Sequence, residues 1–294
     1  MSARRLLIIV NPVAGRRRHG LLANTLERLH VAGCRTTLVE TGGPGDATGK
    51  ARQAAAASFD AVVAAGGDGT LREVAGGLGT ASPPLGLIPL GTANVVAREI
   101  GLLARADTIA EALAAGPVRN IHAGFAGDRI FLAMAGVGFD AAVAAGVDLG
   151  LKRRIGKGAY VWKTLGLLTQ YAYPEFTLTI DGTAHRAVWA IIAKSRLYGG
   201  GFVVAPDASL YRPEFQVFLL SRPGALATIG YGAAILRGRL HRHRHVRIVT
   251  AREISIAGPE GAPIQIDGDV DAKVPAEIRV ASAPIGMLHP VDKG

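Results

Sequence analysis

FDAVVAA–GGDGT–LREVAGGL, residues 59–78, decides the fold. Phe59–Ala65 is an apolar run with the length of a buried strand, and a helix is predicted from Thr70. Gly66-Gly67-Asp68-Gly69-Thr70 joins the two. Strand, glycine loop and helix is the arrangement by which α/β proteins turn backbone N–H groups toward a phosphate. The glycines permit close backbone approach and positive φ. Asp68 is an acid inside an anion-binding loop, which asks for a cation or a proton donor beside the phosphate. Nucleotide with Mg²⁺ supplies one.

The pattern extends in both directions. Strands are predicted at Leu6–Val10, Thr36–Glu40 and Leu85–Leu90, with helices at Gly20–Val31, Asp46–Ala57 and, after the loop Gly91-Thr92-Ala93-Asn94, through Arg98. Such alternation with short loops predicts a doubly wound parallel sheet, whose ligands bind at the carboxyl ends of the strands. The loops after Val10, Ala65 and Leu90 all lie at that edge.

Beyond about residue 117 the texture changes to short strand-like runs separated by Gly, Pro and polar turns. They are Arg129–Met134, Phe176–Ile180, Ala187–Ala193, Phe215–Leu220, Val246–Val249, Glu253–Ile256, Ile264–Ile266 and Ile278–Val280. One long helical pattern, Lys152–Tyr171, interrupts them. The expected class is α/β: an N-terminal doubly wound parallel α/β domain (1–117, nucleotide-binding) and a C-terminal, mainly antiparallel β-sandwich domain (118–283). The tail 284–294 is free to pack back on the first.

A chain of 294 residues with 49% hydrophobic and only 5% aromatic residues can bury a sizeable core. Its net charge of +10 suits anionic partners, whether phosphorylated ligands, lipid or nucleic acid, and equally suits solubility alone. The single cysteine, Cys34, excludes an internal disulfide and fits a reducing compartment. The apolar start at Leu6 stops at Val10, too short for a signal-peptide core. The longest apolar stretch, Ile155–Tyr171, carries Lys157 and Lys163, so a cytoplasmic protein with at most peripheral membrane contact is expected.

Several motifs carry chemistry. Asn11-Pro12-Val13-Ala14-Gly15 suits a tight turn with amides facing a phosphate; Arg16, Arg17 and Arg18 follow, as phosphate contacts or as a solvated charge run. Thr41-Gly42-Gly43 ends the second strand with a hydroxyl. Thr92 is placed to donate to a phosphate, and Asn94 to cap the next helix or order the loop. Asp267-Gly268-Asp269 is either a simple turn or a pair of acids for proton and metal work. The tract His241–His245, alternating with Arg242 and Arg244, reads as a basic strand surface rather than a zinc site.

Taken together, order and spacing resemble the diacylglycerol kinase catalytic-domain family, bacterial lipid kinases similar to sphingosine and ceramide kinases. The resemblance runs from Leu6 to about Pro290. It rests on Asn11-Pro12-x-Ala14-Gly15, Thr41, Gly66–Thr70 with Glu73, and Pro89-Leu90-Gly91-Thr92-Ala93-Asn94. It continues through Gly138-Phe139-Asp140-Ala141, Gly199-Gly200-Gly201, Ala205-Pro206-x-Ala208 and Asp267-Gly268-Asp269.

This resemblance implies Mg²⁺- and ATP-dependent phosphorylation of a lipid hydroxyl, with nucleotide between the two domains. Asn11, Pro12, Thr41, Gly66, Gly67, Asp68, Gly69, Thr70, Leu71, Arg72, Glu73, Thr92 and Asn94 would form the nucleotide site. Asp267 and Asp269 would be catalytic, with Asp269 as proton acceptor where the family usually has Glu, one C–C bond (about 1.5 Å) longer. Two further departures stand out. Tyr211-Arg212-Pro213 replaces an acidic segment that holds a structural Mg²⁺ in some members, so that metal is expected to be absent at Arg212. Val95 stands where relatives often have Asp.

The implied partners are a lipid substrate and a peripheral membrane surface; a homodimer is left open, and no nucleic-acid module is visible. The Gly66–Thr70 loop is also compatible with an NAD kinase, and the Asp269 and Arg212 departures with a non-catalytic nucleotide- or lipid-binding protein. Diacylglycerol and sphingoid lipids both remain open as acceptors.

Overall fold

The computed structural model describes residues 4–14, 19–55, 57–79, 83–146 and 166–291, in two compact units: Met1–Ala123 with Ser282–Gly294, and Gly124–Ala281.

The first unit alternates strand and helix in the order β1 (Arg5–Val10), α1 (His19–Val31), β2 (Arg35–Glu40), α2 (Asp46–Ala55), β3 (Ala61–Gly66), α3 (Asp68–Leu78), β4 (Leu85–Pro89), α4 (Val95–Glu99), α5 (Ala106–Ala115) and β5 (Val118–Ile121). Strands β3 and β4 are buried at every residue, and β1 at all but Arg5. Parallel strands covered on both faces read as continuous apolar runs, which is why their sequences lack alternation. β2, RTTLVE, is half polar because it is an edge strand.

In the second unit the strands are β6 (Gly124–Ala126), β7 (Arg129–Phe131), β8 (Met134–Val137), β9 (Phe176–Ile180), β10 (Thr183–Ala187), β11 (Trp189–Ala193), β12 (Leu197–Tyr198), β13 (Phe202–Val203), β14 (Phe215–Leu220), β15 (Val246–Ala251), β16 (Glu253–Ala257), β17 (Pro263–Ile266), β18 (Asp269–Lys273) and β19 (Ala276–Val280). Helices α6 (Phe139–Gly146) and α7 (Ala225–Leu236) accompany them. Two six-stranded antiparallel sheets, ordered β10-β9-β16-β19-β6-β7 and β15-β14-β11-β8-β17-β18, enclose a core that includes Phe131, Phe176, Phe215, Ile192 and Ile254. The other face of the second sheet packs Trp189, Ile191 and Phe218 against Phe139, Tyr231 and Ile235 of the two helices. The chain then returns as β20 (Ile285–Leu288) to the first unit, where it pairs parallel with β4 and antiparallel with β5.

The first sheet runs β2-β1-β3-β4-β20-β5. β1 therefore has β2 on one side and β3 on the other, both parallel. That reversal of strand order is a topological switch point, where open α/β sheets form a crevice at the carboxyl edge.

Several expectations are corrected. Helix α3 starts at Asp68, not Thr70, so most of the glycine loop is the helix's first turn. α2 ends at Ala55 rather than Ala57. The expected strand Arg129–Met134 is two strands with a break at Leu132-Ala133. His241–His245 does not alternate along a strand: Leu240–Arg242 is a 3₁₀ turn, and β15 begins only at Val246. The helix expected over Lys152–Tyr171 falls mostly outside the described residues, of which 166–170 are helical. Gly15 to Arg18 also lie outside them. Among the described residues, no helix is long and apolar enough to cross a membrane.

Candidate active site

Four strand ends of the first unit carry the nucleotide-site candidates. Asn11 follows β1 and is fixed on every side: its amide donates to Ala65 O (3.0 Å), and its Oδ1 accepts from the amides of Val13 (3.0 Å) and Ala14 (3.2 Å). Its Nδ2 donates to Thr70 Oγ1 at 3.2 Å. This bond spans the switch point, joining the end of β1 to the first turn of α3. Pro12 is exposed in the same turn, and the amide of Thr41 donates to Val10 O at 2.8 Å, which ties the end of β2 to the end of β1.

The two glycine loops form one surface. Gly66 O accepts from the amides of Leu90 (2.8 Å) and Gly91 (3.3 Å). A Cβ on Gly91 would lie 2.5 Å from Gly67 Cα, and a Cβ on Gly66 would overlap the Thr70 side chain. Glycine is required at both by close approach. Asn94 sits at φ 47°, a left-handed conformation that Asn tolerates, and donates to Gly91 O (2.7 Å) and Pro89 O (3.3 Å). It shapes the loop, while its buried Oδ1 has no hydrogen-bond partner among the described residues. Thr92 is exposed at the loop tip.

Helix α3 presents its N-terminus at this edge, with Gly67 as N-cap. The first-turn amides and the helix dipole favour an anion there. Asp68 is half-buried, and its Oδ1 accepts from the Val96 amide at 3.4 Å, beside the start of α4. Leu71 contributes nothing by side chain, since it is buried in the core, and its amide bonds Gly67 O at 3.0 Å. Arg72 and Glu73 are half-exposed one turn further on, where Glu73 O accepts from Thr48 Oγ1.

The acids of the second unit separate into two roles. Asp267 has φ 49°, and its carboxylate accepts from the amides of Leu132 (2.9 Å), Ala133 (2.8 Å) and Met134 (2.9 Å). The break between β7 and β8 exists to present these three donors. Gly268, at φ 93°, donates to Gln265 Oε1 (2.9 Å), and Gln265 Nε2 donates to Asp140 Oδ2 (3.2 Å). Asp267 is thus an anchor, and Asp269 emerges half-buried at the start of β18.

Asp140 closes this chain of bonds. It also accepts from the Ala141 amide (2.8 Å), and complete burial pushes its carboxyl up to about 6. Local sequence pattern alone assigns no role to Gln265, Lys194 or Asp140. The signals are visible, however: Asp140 and Gln265 are polar residues flanked by apolar ones, and Lys194 directly follows an apolar run.

Lys194 directly follows β11 and is wholly buried. Its ammonium donates to the carbonyls of Ser209 (3.1 Å), Glu214 (3.1 Å) and, more closely, Arg212. Burial pushes its pKa down to about 8, opposed by the nearby Glu214 carboxylate and reinforced by the Arg212 guanidinium. Arg212 donates to Asp207 O and pairs with Glu214 at 3.2 Å. The Ser209–Glu214 segment is folded around two protein cations, Lys194 and Arg212. These donors do not fit a divalent ion. The Asp68 carboxylate does suit Mg²⁺ carried by phosphate, because that ion takes one or two carboxylates plus phosphate oxygens, and the neighbouring amides suit the phosphate itself.

Comparison with known proteins matches residues 5–126 to the diacylglycerol kinase catalytic domain and residues 133–289 to the YegS C-terminal NAD kinase beta sandwich-like domain. The chain is 30% identical to a diacylglycerol kinase of Bacillus subtilis, over 99% of this chain and 98% of that one. It is 28% identical to a diacylglycerol kinase of Staphylococcus epidermidis, over 98% and 93%. A crystal structure of a diacylglycerol kinase from Bacillus anthracis superposes with a TM-score of 0.81 at 24% identity, covering 98% of both chains. Sequence and fold therefore agree: the chain belongs to the diacylglycerol kinase catalytic-domain family and is, by class, a lipid kinase.

Proposed function

We propose that this protein transfers the γ-phosphoryl group of ATP to the hydroxyl of diacylglycerol. The observation that carries the reading is the joined pair of glycine loops at the switch point, clamped to β1 by the Asn11–Thr70 bond. The curated relatives named diacylglycerol kinase supply the acceptor class.

In this reading the amides at the start of α3 bind phosphate oxygens, Thr70 and Asn11 hold the first turn in place, and Thr92 closes over the nucleotide. Asp68 would hold Mg²⁺ that arrives with the nucleotide, which offsets charge on the phosphates. Phosphoryl transfer needs positioning and charge neutralisation more than covalent chemistry. Asp269 accepts the proton as the lipid O–H bond breaks. The lipid oxygen bonds to the γ-phosphorus, and the bond from that phosphorus to the β–γ bridging oxygen breaks to release ADP. Asp267 positions Asp269 through its three amide bonds and touches no substrate.

Labelled ATP incubated with diacylglycerol, sphingosine, ceramide, phosphatidylglycerol and NAD⁺ in mixed micelles tests the assignment. Label in phosphatidic acid is expected. Label in NADP⁺ alone, or in no product, contradicts it.

A further inference from the structure

We infer that α7 and the basic segment after it form a docking surface for an anionic lipid bilayer. Helix α7, ALATIGYGAAIL, has no charged residue. At 100° per residue, Leu226, Ile229 and Leu236 fall within an arc of about 80°. They are 87%, 53% and 66% exposed, whereas Thr228, Tyr231 and Ile235 on the opposite side are buried against β11 and β14. The exposed stripe continues onto Phe202 and Val203 of the β12–β13 hairpin, whose Val203 carbonyl lies beside Gly238.

Charge surrounds this apolar stripe with one sign. From Phe215 to Arg252 the chain has seven arginines and no acidic residue. Arg222 precedes the helix, and Arg237, Arg239, Arg242 and Arg244 follow it, all exposed. None of these five has a carboxylate within 4.0 Å among the described residues. An uncharged helix with an apolar outer stripe and a basic margin is the composition of a segment that lies in a membrane interface.

Other occupants fit less well. A second copy of this chain, docked two-fold on the same patch, would set arginine against arginine. A nucleic acid would satisfy the arginines but leave Leu226, Ile229 and Leu236 without a partner. A bilayer with anionic headgroups accepts both. The inference rests on the lipid-kinase reading for its purpose, since the acceptor resides in a bilayer, but not for its physics.

Sedimentation with phosphatidylcholine vesicles, with and without phosphatidylglycerol, tests it without turnover. Wild type is expected to pellet with the anionic vesicles and to be released by salt. The variant Leu226→Gln/Ile229→Gln/Leu236→Gln should bind at least about tenfold more weakly. Arg237→Gln/Arg239→Gln should lose about thirtyfold, from roughly 1 kcal/mol per surface cation. Both should keep wild-type circular dichroism and activity on a short-chain diacylglycerol dispersed in solution. Vesicle binding unchanged in both variants overturns the docking surface even if the enzyme is active. So does a triple variant that converts a dimer to a monomer without weakening vesicle binding. Vesicle binding lost as expected, with no lipid phosphorylated by wild type, leaves the surface standing and contradicts the kinase reading instead.

Discussion

Replacing Lys194 by Met removes a cation around which a whole loop is folded. The ammonium has three donors, and three carbonyls, of Ser209, Arg212 and Glu214, accept them. Each carbonyl left unpaired in the interior costs about 1–3 kcal/mol. Two effects reduce the sum. The desolvation penalty of the buried ammonium disappears, and a cavity of about 50 Å³ lined by Ser209, Arg212 and Glu214 can admit water. Met fills much of the volume of the lysine stem. The net expectation is a loss of about 2–4 kcal/mol, within the range for breaking a buried charged network. Urea unfolding followed by tryptophan fluorescence measures it, since Trp189 lies on β11 in the same sheet. A variant within about 0.5 kcal/mol of wild type refutes the reasoning. The same account expects Mg²⁺ without nucleotide to leave the wild-type unfolding midpoint unchanged. A clear rise would show that the loop takes a metal despite Lys194.

Asp140, raised to about 6, holds a proton in the fold that the unfolded chain loses near its ordinary 3.8. Between those values the folded state binds more protons, so stability falls as pH rises through that window and levels off above it, by about 3 kcal/mol in all. Asp140→Asn should flatten this slope in urea titrations from pH 3.5 to 7, and an unaltered slope would assign it elsewhere. Gly66→Ala drives a Cβ into Thr70, so nucleotide affinity by calorimetry should drop at least about tenfold; wild-type affinity would mean the loop relaxes freely. Asn11→Ala removes the bond to Thr70, worth about 1 kcal/mol, together with the two that its Oδ1 accepts from the Val13 and Ala14 amides, and should weaken nucleotide binding at least about fivefold. An unchanged dissociation constant would show that the clamp does not shape the site.

The first unit was largely legible in the sequence because its parallel strands are buried on both faces and appear as unbroken apolar runs. VVAA in β3 and LIP in β4 have no other plausible place. The start of α3 was not legible, because Asp68 and Gly69 are poor helix formers that tertiary contacts hold in the first turn. Helix α7 is not legible for a related reason. It has no polar face to give a helical period, and Gly230 and Gly232 lower its propensity. The histidine tract alternates like a strand, yet Leu240 is buried and pins a 3₁₀ turn instead. At the acid motif, sequence paired Asp267 with Asp269. Only the fold shows three amides converging on Asp267, donated from a stretch more than a hundred residues earlier. Long-range hydrogen bonds of that kind leave no local pattern to read.

The most direct test of the central claim is Asp269→Asn, with kcat on diacylglycerol and the dissociation constant for ATP measured on the same preparation. Loss of a positioned proton acceptor costs about 10²–10⁴ in rate. The account predicts a fall of that size in kcat with nucleotide affinity unchanged. Full activity in Asp269→Asn would contradict it.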